Sequence, residues 1–153
     1  MSEFTFEGGF TAKAAVSRRR WFEVELVQGS GFEMLLTHLS RTALRKLANR
    51  NTKKVWDRKA NARIEQLDED RLFDDYAKNI VIDWRGLDVG ILKQLLSIDT
   101  DAPDETNVPY SKENVTLLLK GCIGLDTWVT DGATDPMNFT EVSKEDEVLE
   151  GNS

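Results

Sequence analysis

Leu72, Phe73, Tyr76, Ala77, Ile80, Val81 and Trp84 recur at i, i+3, i+4 and i+7 spacing, the longest helical stripe in this chain. Asp68, Glu69 and Asp70 precede it, where a helix dipole favours negative charge. Gly86 follows it, as a natural residue for a helix C-terminus. The spacing predicts one helix from about residue 68 to residue 84, with Trp84 as the core anchor at its end. An apolar stripe is stable only against a second apolar surface.

That surface is offered earlier in the chain. Across Trp21–Val27, Phe22, Val24 and Leu26 alternate with Glu23 and Glu25, the period of a half-buried strand. Gln28-Gly29-Ser30-Gly31 supplies turn chemistry. Phe32, Met34 and Leu36 then alternate within a returning strand over Phe32–Leu39. The two make a β-hairpin, which in water needs a cover. The fold class expected is α+β: an N-terminal β-hairpin, a small antiparallel sheet, packed against a mainly helical C-terminal part.

Ser40 is a good N-cap for a helix carrying Ala43, Leu44, Leu47 and Ala48 on one face. Residues 51–67 are basic and weakly periodic, so a continued helix, a loop and a short strand all remain open. Val89–Ile98 reads as a short helix, and Asp99–Asn107 as an acidic loop. Ser111 caps the next helix, with Pro109 just outside it and Val115, Leu118 and Leu119 on its apolar face. Gly121–Gly124 interrupts, and Leu125, Trp128 and Val129 form a last amphipathic turn or two. The organisation expected is a flexible arm over 1–19, a single α+β domain over 20–139 with Phe139 as a late anchor, and an acidic flexible tail over 140–153.

Charge is divided unevenly. Residues 1–63 hold 13 Lys/Arg and 6 Asp/Glu, and residues 64–153 hold 7 and 21, within a formal net charge of −7. A net negative chain argues against nucleic acid as a general partner. A dipolar one can attract its own copies, so self-association through the hairpin and the basic segment 41–63 is expected. Arg18-Arg19-Arg20 reads as a charged edge that discourages strand pairing, in preference to a phosphate site. The single cysteine, Cys122, forms no intrachain disulfide and fits a reducing cytoplasm. The start of the chain has no apolar run of signal-peptide length behind a basic start. No stretch approaches the roughly 20 apolar residues of a membrane span, so no membrane partner is expected.

Catalytic chemistry finds no foothold. His38 has no Cys, Asp or Glu beside it at ligand spacing, and Cys122 has no nearby histidine. Asp99–Glu105 resembles a calcium loop but puts Pro103 at a ligand position and lacks the glycine of the sharp turn. No catalytic residue, metal site or cofactor is assigned, and the chain is not expected to be an enzyme. Binding falls to apolar side chains. Trp21, Trp56, Ile91, Leu92, Leu95 and Leu96 are the candidate partner-binding residues, with Trp56 either exposed for contact or packed on a continued helix. Trp84, Gly86, Ser111 and Trp128 are the structural anchors.

Two short motifs carry a family likeness: Val81-Ile82-Asp83-Trp84-Arg85-Gly86, and Pro109-Tyr110-Ser111-Lys112-Glu113-Asn114 at a helix start. With the order of elements over roughly 21–139, they make the chain resemble the tail assembly chaperones of tailed bacteriophages and prophages. The resemblance implies non-enzymatic work in the bacterial host cytoplasm: binding the tape-measure protein before the tail tube polymerises. The basic stretch Thr52–Arg63 and the Phe-containing N-terminal arm depart from that family. Two rivals stand beside it, a head-tail joining or tail-completion protein that stays in the virion, and a small nucleic-acid-binding regulator.

Overall fold

The computed structural model describes residues 4–12 and 18–140. Most of the acidic tail, and parts of the N-terminal arm, lie outside the described residues. In chain order the elements begin with the short strands β1 (Phe4–Thr5) and β2 (Thr11–Ala12), which pair with each other. β3 (Arg19–Glu23), β4 (Glu33–Thr37) and helix α1 (Arg41–Arg50) follow. Strands β5 (Thr52–Asp57) and β6 (Ala62–Leu67) lead to α2 (Glu69–Asn79) and β7 (Val81–Arg85). The chain continues through α3 (Val89–Leu95), α4 (Lys112–Gly121) and α5 (Leu125–Thr134). This is the α+β fold expected, with the hairpin near the N-terminus and helices beyond it.

The principal sheet is antiparallel and runs β3-β4-β7, so the hairpin has gained a third strand. The long helix expected over 68–84 is therefore two elements. Asp68 caps α2, and Leu72, Phe73, Tyr76 and Ala77 are buried on one face of it, as the stripe requires. The helix stops at Asn79. Ile80-Val81-Ile82 is a β-branched run that a helix tolerates poorly, and Val81–Arg85 finds an open partner in β4. Trp84 is a strand residue paired with Met34, and a strand puts it on the same core face that a helix would have.

The hairpin also differs in detail. β3 ends at Glu23, and Glu25–Val27 forms a 3-10 turn that buries Val24 and Val27 and leaves Leu26 exposed, against the alternation expected. β4 is the central strand, so Leu35 on its far face is buried together with Met34 and Leu36. The inner face of the sheet presents Phe22, Met34, Leu36, Val81 and Trp84 to the helices. α2 packs on α4, and α5 lies over β4, where Gly132 brings it close to Leu36 and Phe22.

Gly86 is not the end of a helix. It follows β7 at φ +76°, and a Cβ there would collide with the carbonyl oxygen of Gly31 in the β3–β4 turn. Two glycines let the hairpin turn and the end of β7 cross at backbone contact.

Candidate interaction surfaces

The first surface is an apolar cleft of about 260 Å³ between α3, the 96–108 loop and α4. Trp84 and Leu118 floor it, Leu92, Leu96, Ile98 and Val108 wall it, and Leu117, 64% exposed, stands at its rim. Asn114 is its polar residue.

The two sequence motifs of residues 81–86 and 109–114 build its floor together. The rings of Trp84 and Tyr110 meet edge to face with centroids 5.6 Å apart, a favoured aromatic geometry. The Trp84 indole N–H donates to the Val108 carbonyl at 3.0 Å, and the Tyr110 hydroxyl donates to the Val81 carbonyl at 2.7 Å. Burial, with the Asp83 charge, pushes the Tyr110 phenol above its usual pKa, so it remains a donor at neutral pH. Ser111 accepts from Asn114 N–H at 3.0 Å and caps α4, as the sequence predicted.

Leu96, Ile98 and Val108, on either side of the acidic loop, wall this cleft, and backbone bonds hold the loop. Asp88 caps α3 and bridges to Asn107. Val89 N–H donates to Thr106 O, Gly90 N–H to Asp104 O, and Val108 N–H to Leu87 O. Lys93 pairs with Asp104 at 3.0 Å. Asp99, Asp101, Asp104 and Glu105 are exposed; Asp99 follows Ile98 directly, whereas Asp104 and Glu105 line a separate hollow with Gly90, Ile91 and Gln94.

The candidate residues separate accordingly. Leu92 and Leu96 line the cleft, half-buried, and Leu95 is half-buried beside them. Ile91 is buried in the core, on the α3 segment that packs on the Glu25–Val27 turn, and lies away from the cleft. Trp21 lies on the outer face of the sheet under the Arg85 guanidinium, 4.0 Å from the ring centroid, and Arg85 also pairs with Glu33 at 2.9 Å. Trp128 is half-buried, edge-on to Phe22. Sequence reasoning missed Leu117 and Val108. Leu117 breaks the apolar register of α4, and that misfit was the available signal.

The second surface is the ribbon formed by β5 and β6. It settles the open question over 51–67: the segment is a two-stranded antiparallel hairpin. Its side chains are exposed apart from half-buried Val55 and Asp57. Trp56 is 60% exposed and faces Arg63 across the ribbon. Asn61 takes the positive φ of its turn. The ribbon's root is fixed by Asn51, whose side chain donates to Leu47 O and to Asp75 Oδ2.

His38 and Cys122 both sit in packed surroundings. The His38 ring rests against Phe139, and its Nδ1 sits 2.9 Å from the Ala133 carbonyl. Cys122 is buried, and burial, with the Asp126 charge, pushes its thiol pKa up, away from the reactive thiolate. Among the described residues no His, Cys, Asp and Glu side chains group so as to hold a metal, and no helix is long and apolar enough to cross a membrane.

A family model described as YdaY prophage protein matches residues 38–150, well over half of the chain. The match spans the ribbon and the cleft and begins just after β4. No curated protein and no solved structure matches.

Proposed function

We propose that this chain, which belongs to the YdaY prophage protein family, is a tail assembly chaperone that holds an apolar helical segment of the phage tape-measure protein. The observation that carries the reading is the cleft with Leu117 at its rim. It is apolar almost throughout, open to solvent, and wide enough for one or two large side chains of an incoming helix. Asp99 and Asp101, just beyond the Ile98 wall in the chain, favour a segment whose apolar face is flanked by Lys or Arg. A tape-measure protein is long and helical, and before assembly its apolar face needs a cover.

The work is holding, without chemistry. His38 and Cys122, the two side chains that catalysis would draw on first, are engaged in packing. On this reading the protein acts in the host cytoplasm and leaves before the particle is complete. Co-expression tests it. The tape-measure protein of the same prophage stays soluble with the wild-type chain and precipitates with a Leu117→Asp chain. Mass spectrometry of purified particles separates the rival: a chaperone is missing from them, a joining or completion protein is present.

A further inference from the structure

The ribbon has a composition that the cleft reading does not use. Residues 41–67 carry nine Lys/Arg and two Asp/Glu, in a chain whose formal net charge is −7. Among the described residues, Arg50 alone of the nine forms an ion pair, with Asp75 at 2.9 Å. Lys53, Lys54, Arg58, Lys59 and Arg63 are exposed on the ribbon, and Arg41, Arg45 and Lys46 are exposed on α1, which leads into it. Charges separated by more than a Debye length of about 8 Å are largely screened, so a ligand at the ribbon meets this local charge and not the average of the chain.

We propose that the β5–β6 ribbon is a nucleic-acid-binding arm. Its cations take backbone phosphates, and Trp56 stacks on a base or wedges against a groove wall. Six-residue strands make an arm about 20 Å long, and a two-stranded ribbon is one of the elements that a major groove admits. The register puts Trp56, Lys54 and Arg63 on one face, so an aromatic plane stands between two cations. That is the pairing of stacking and phosphate neutralisation that nucleic-acid grooves use. Arg58 and Lys59 sit in the exposed turn, at the tip. Of the ribbon's own acids, Glu65 faces Lys54 across the strands and Asp57 lies on the opposite face near the tip, while Asp68, Glu69 and Asp70 flank Lys53 at the root, so Trp56, Arg63 and the turn cations form the contact zone.

A second copy of the chain is the less favoured occupant. Copies would pair by the free edges of β5 and β6, and Lys53, Lys54 and Arg63 lie on those strands, where charged side chains block edge pairing.

The test is fluorescence anisotropy with a labelled duplex of about 20 base pairs and a single strand of about 20 nucleotides. If Lys54, Arg58, Lys59 and Arg63 each neutralise one phosphate, log K falls against log salt with a slope of about −3.6 on a duplex. Affinity then drops roughly 150-fold between 50 and 200 mM salt. The R58A/K59A/R63A variant, at exposed positions, keeps its circular dichroism spectrum and reduces the slope to about −1. Trp56→Ala weakens binding roughly tenfold and leaves the slope unchanged. The ratio of the two probes distinguishes groove entry from strand stacking. Absence of binding to either probe at 50 mM salt, or equal binding by the triple variant, overturns the proposal. So does wild-type self-assembly in sedimentation that the triple variant abolishes, which makes the ribbon a copy interface. The tape-measure reading stands or falls separately, because Leu117→Asp leaves the ribbon untouched.

Discussion

The Asn51 side chain donates to Asp75 Oδ2 at 2.6 Å and, with the Arg50–Asp75 ion pair, ties the end of α1 and the root of the ribbon to α2. Asn51 is 1% exposed and also donates to Leu47 O, while its own carbonyl accepts from Asp68 N–H at 2.6 Å. Asn51→Ala leaves the Leu47 carbonyl and one Asp75 lone pair without this donor. The expected loss is about 2–3 kcal/mol, read from urea unfolding.

The same pair sets an acid limit on stability. Burial pulls the Asp75 carboxyl upward, but hydrogen bonds from Asn51 and Arg50, with the Arg50 charge, outweigh it and hold its pKa below the usual carboxylate range. A carboxyl that titrates lower in the folded chain than in the unfolded one contributes in full above about pH 4, and that contribution disappears as pH falls through the folded value. Unfolding followed from pH 6 to pH 2 shows a shallower acid loss in Asp75→Asn than in wild type.

Gly86→Ala is expected to cost at least about 2 kcal/mol, because it adds a collision with the Gly31 carbonyl to a strained positive φ. Gly29→Ala is the control. Its φ is +83° with open space at the Cβ position, so it carries backbone strain alone, about 1 kcal/mol. Thermal melts that rank the two the other way contradict the crossing of the β3–β4 turn with the end of β7.

Trp84→Ala empties a buried site and removes the bond to Val108, for a loss of roughly 3–5 kcal/mol. Tyr110→Phe keeps the ring contact and loses only the hydroxyl bond, about 1 kcal/mol. In the double-mutant cycle, Trp84→Ala and Tyr110→Ala are expected to couple by 0.5 kcal/mol or more, since the rings touch.

What the sequence revealed follows from where each element is buried. Ser40 and Ser111 were legible as caps because capping is local chemistry, and Asp68, read as charge at a helix start, proves to be the cap itself. The stripe of α2 was legible because one face of it is core. Its end was not: a chain entering a strand at Val81 keeps Trp84 in the same core that a helix would have given it. Residues 52–67 gave no period because neither face of the ribbon is covered by a packed layer. Leu35 defied alternation because β4 acquired a second neighbour, β7, through a pairing far away in sequence. Of the cleft, Leu92, Leu96 and Trp84 were legible. The 96–108 wall was not, because the backbone bonds that fold it onto α3 leave no mark on an acidic segment.

The most direct measurement of the central claim is isothermal titration of the chain with a soluble tape-measure fragment from the same prophage. Binding with a negative heat-capacity change, weakened at least about tenfold by Leu117→Asp with the melting temperature unchanged, is the result predicted. Equal affinity for wild type and Leu117→Asp, or no heat from the wild-type chain, contradicts it.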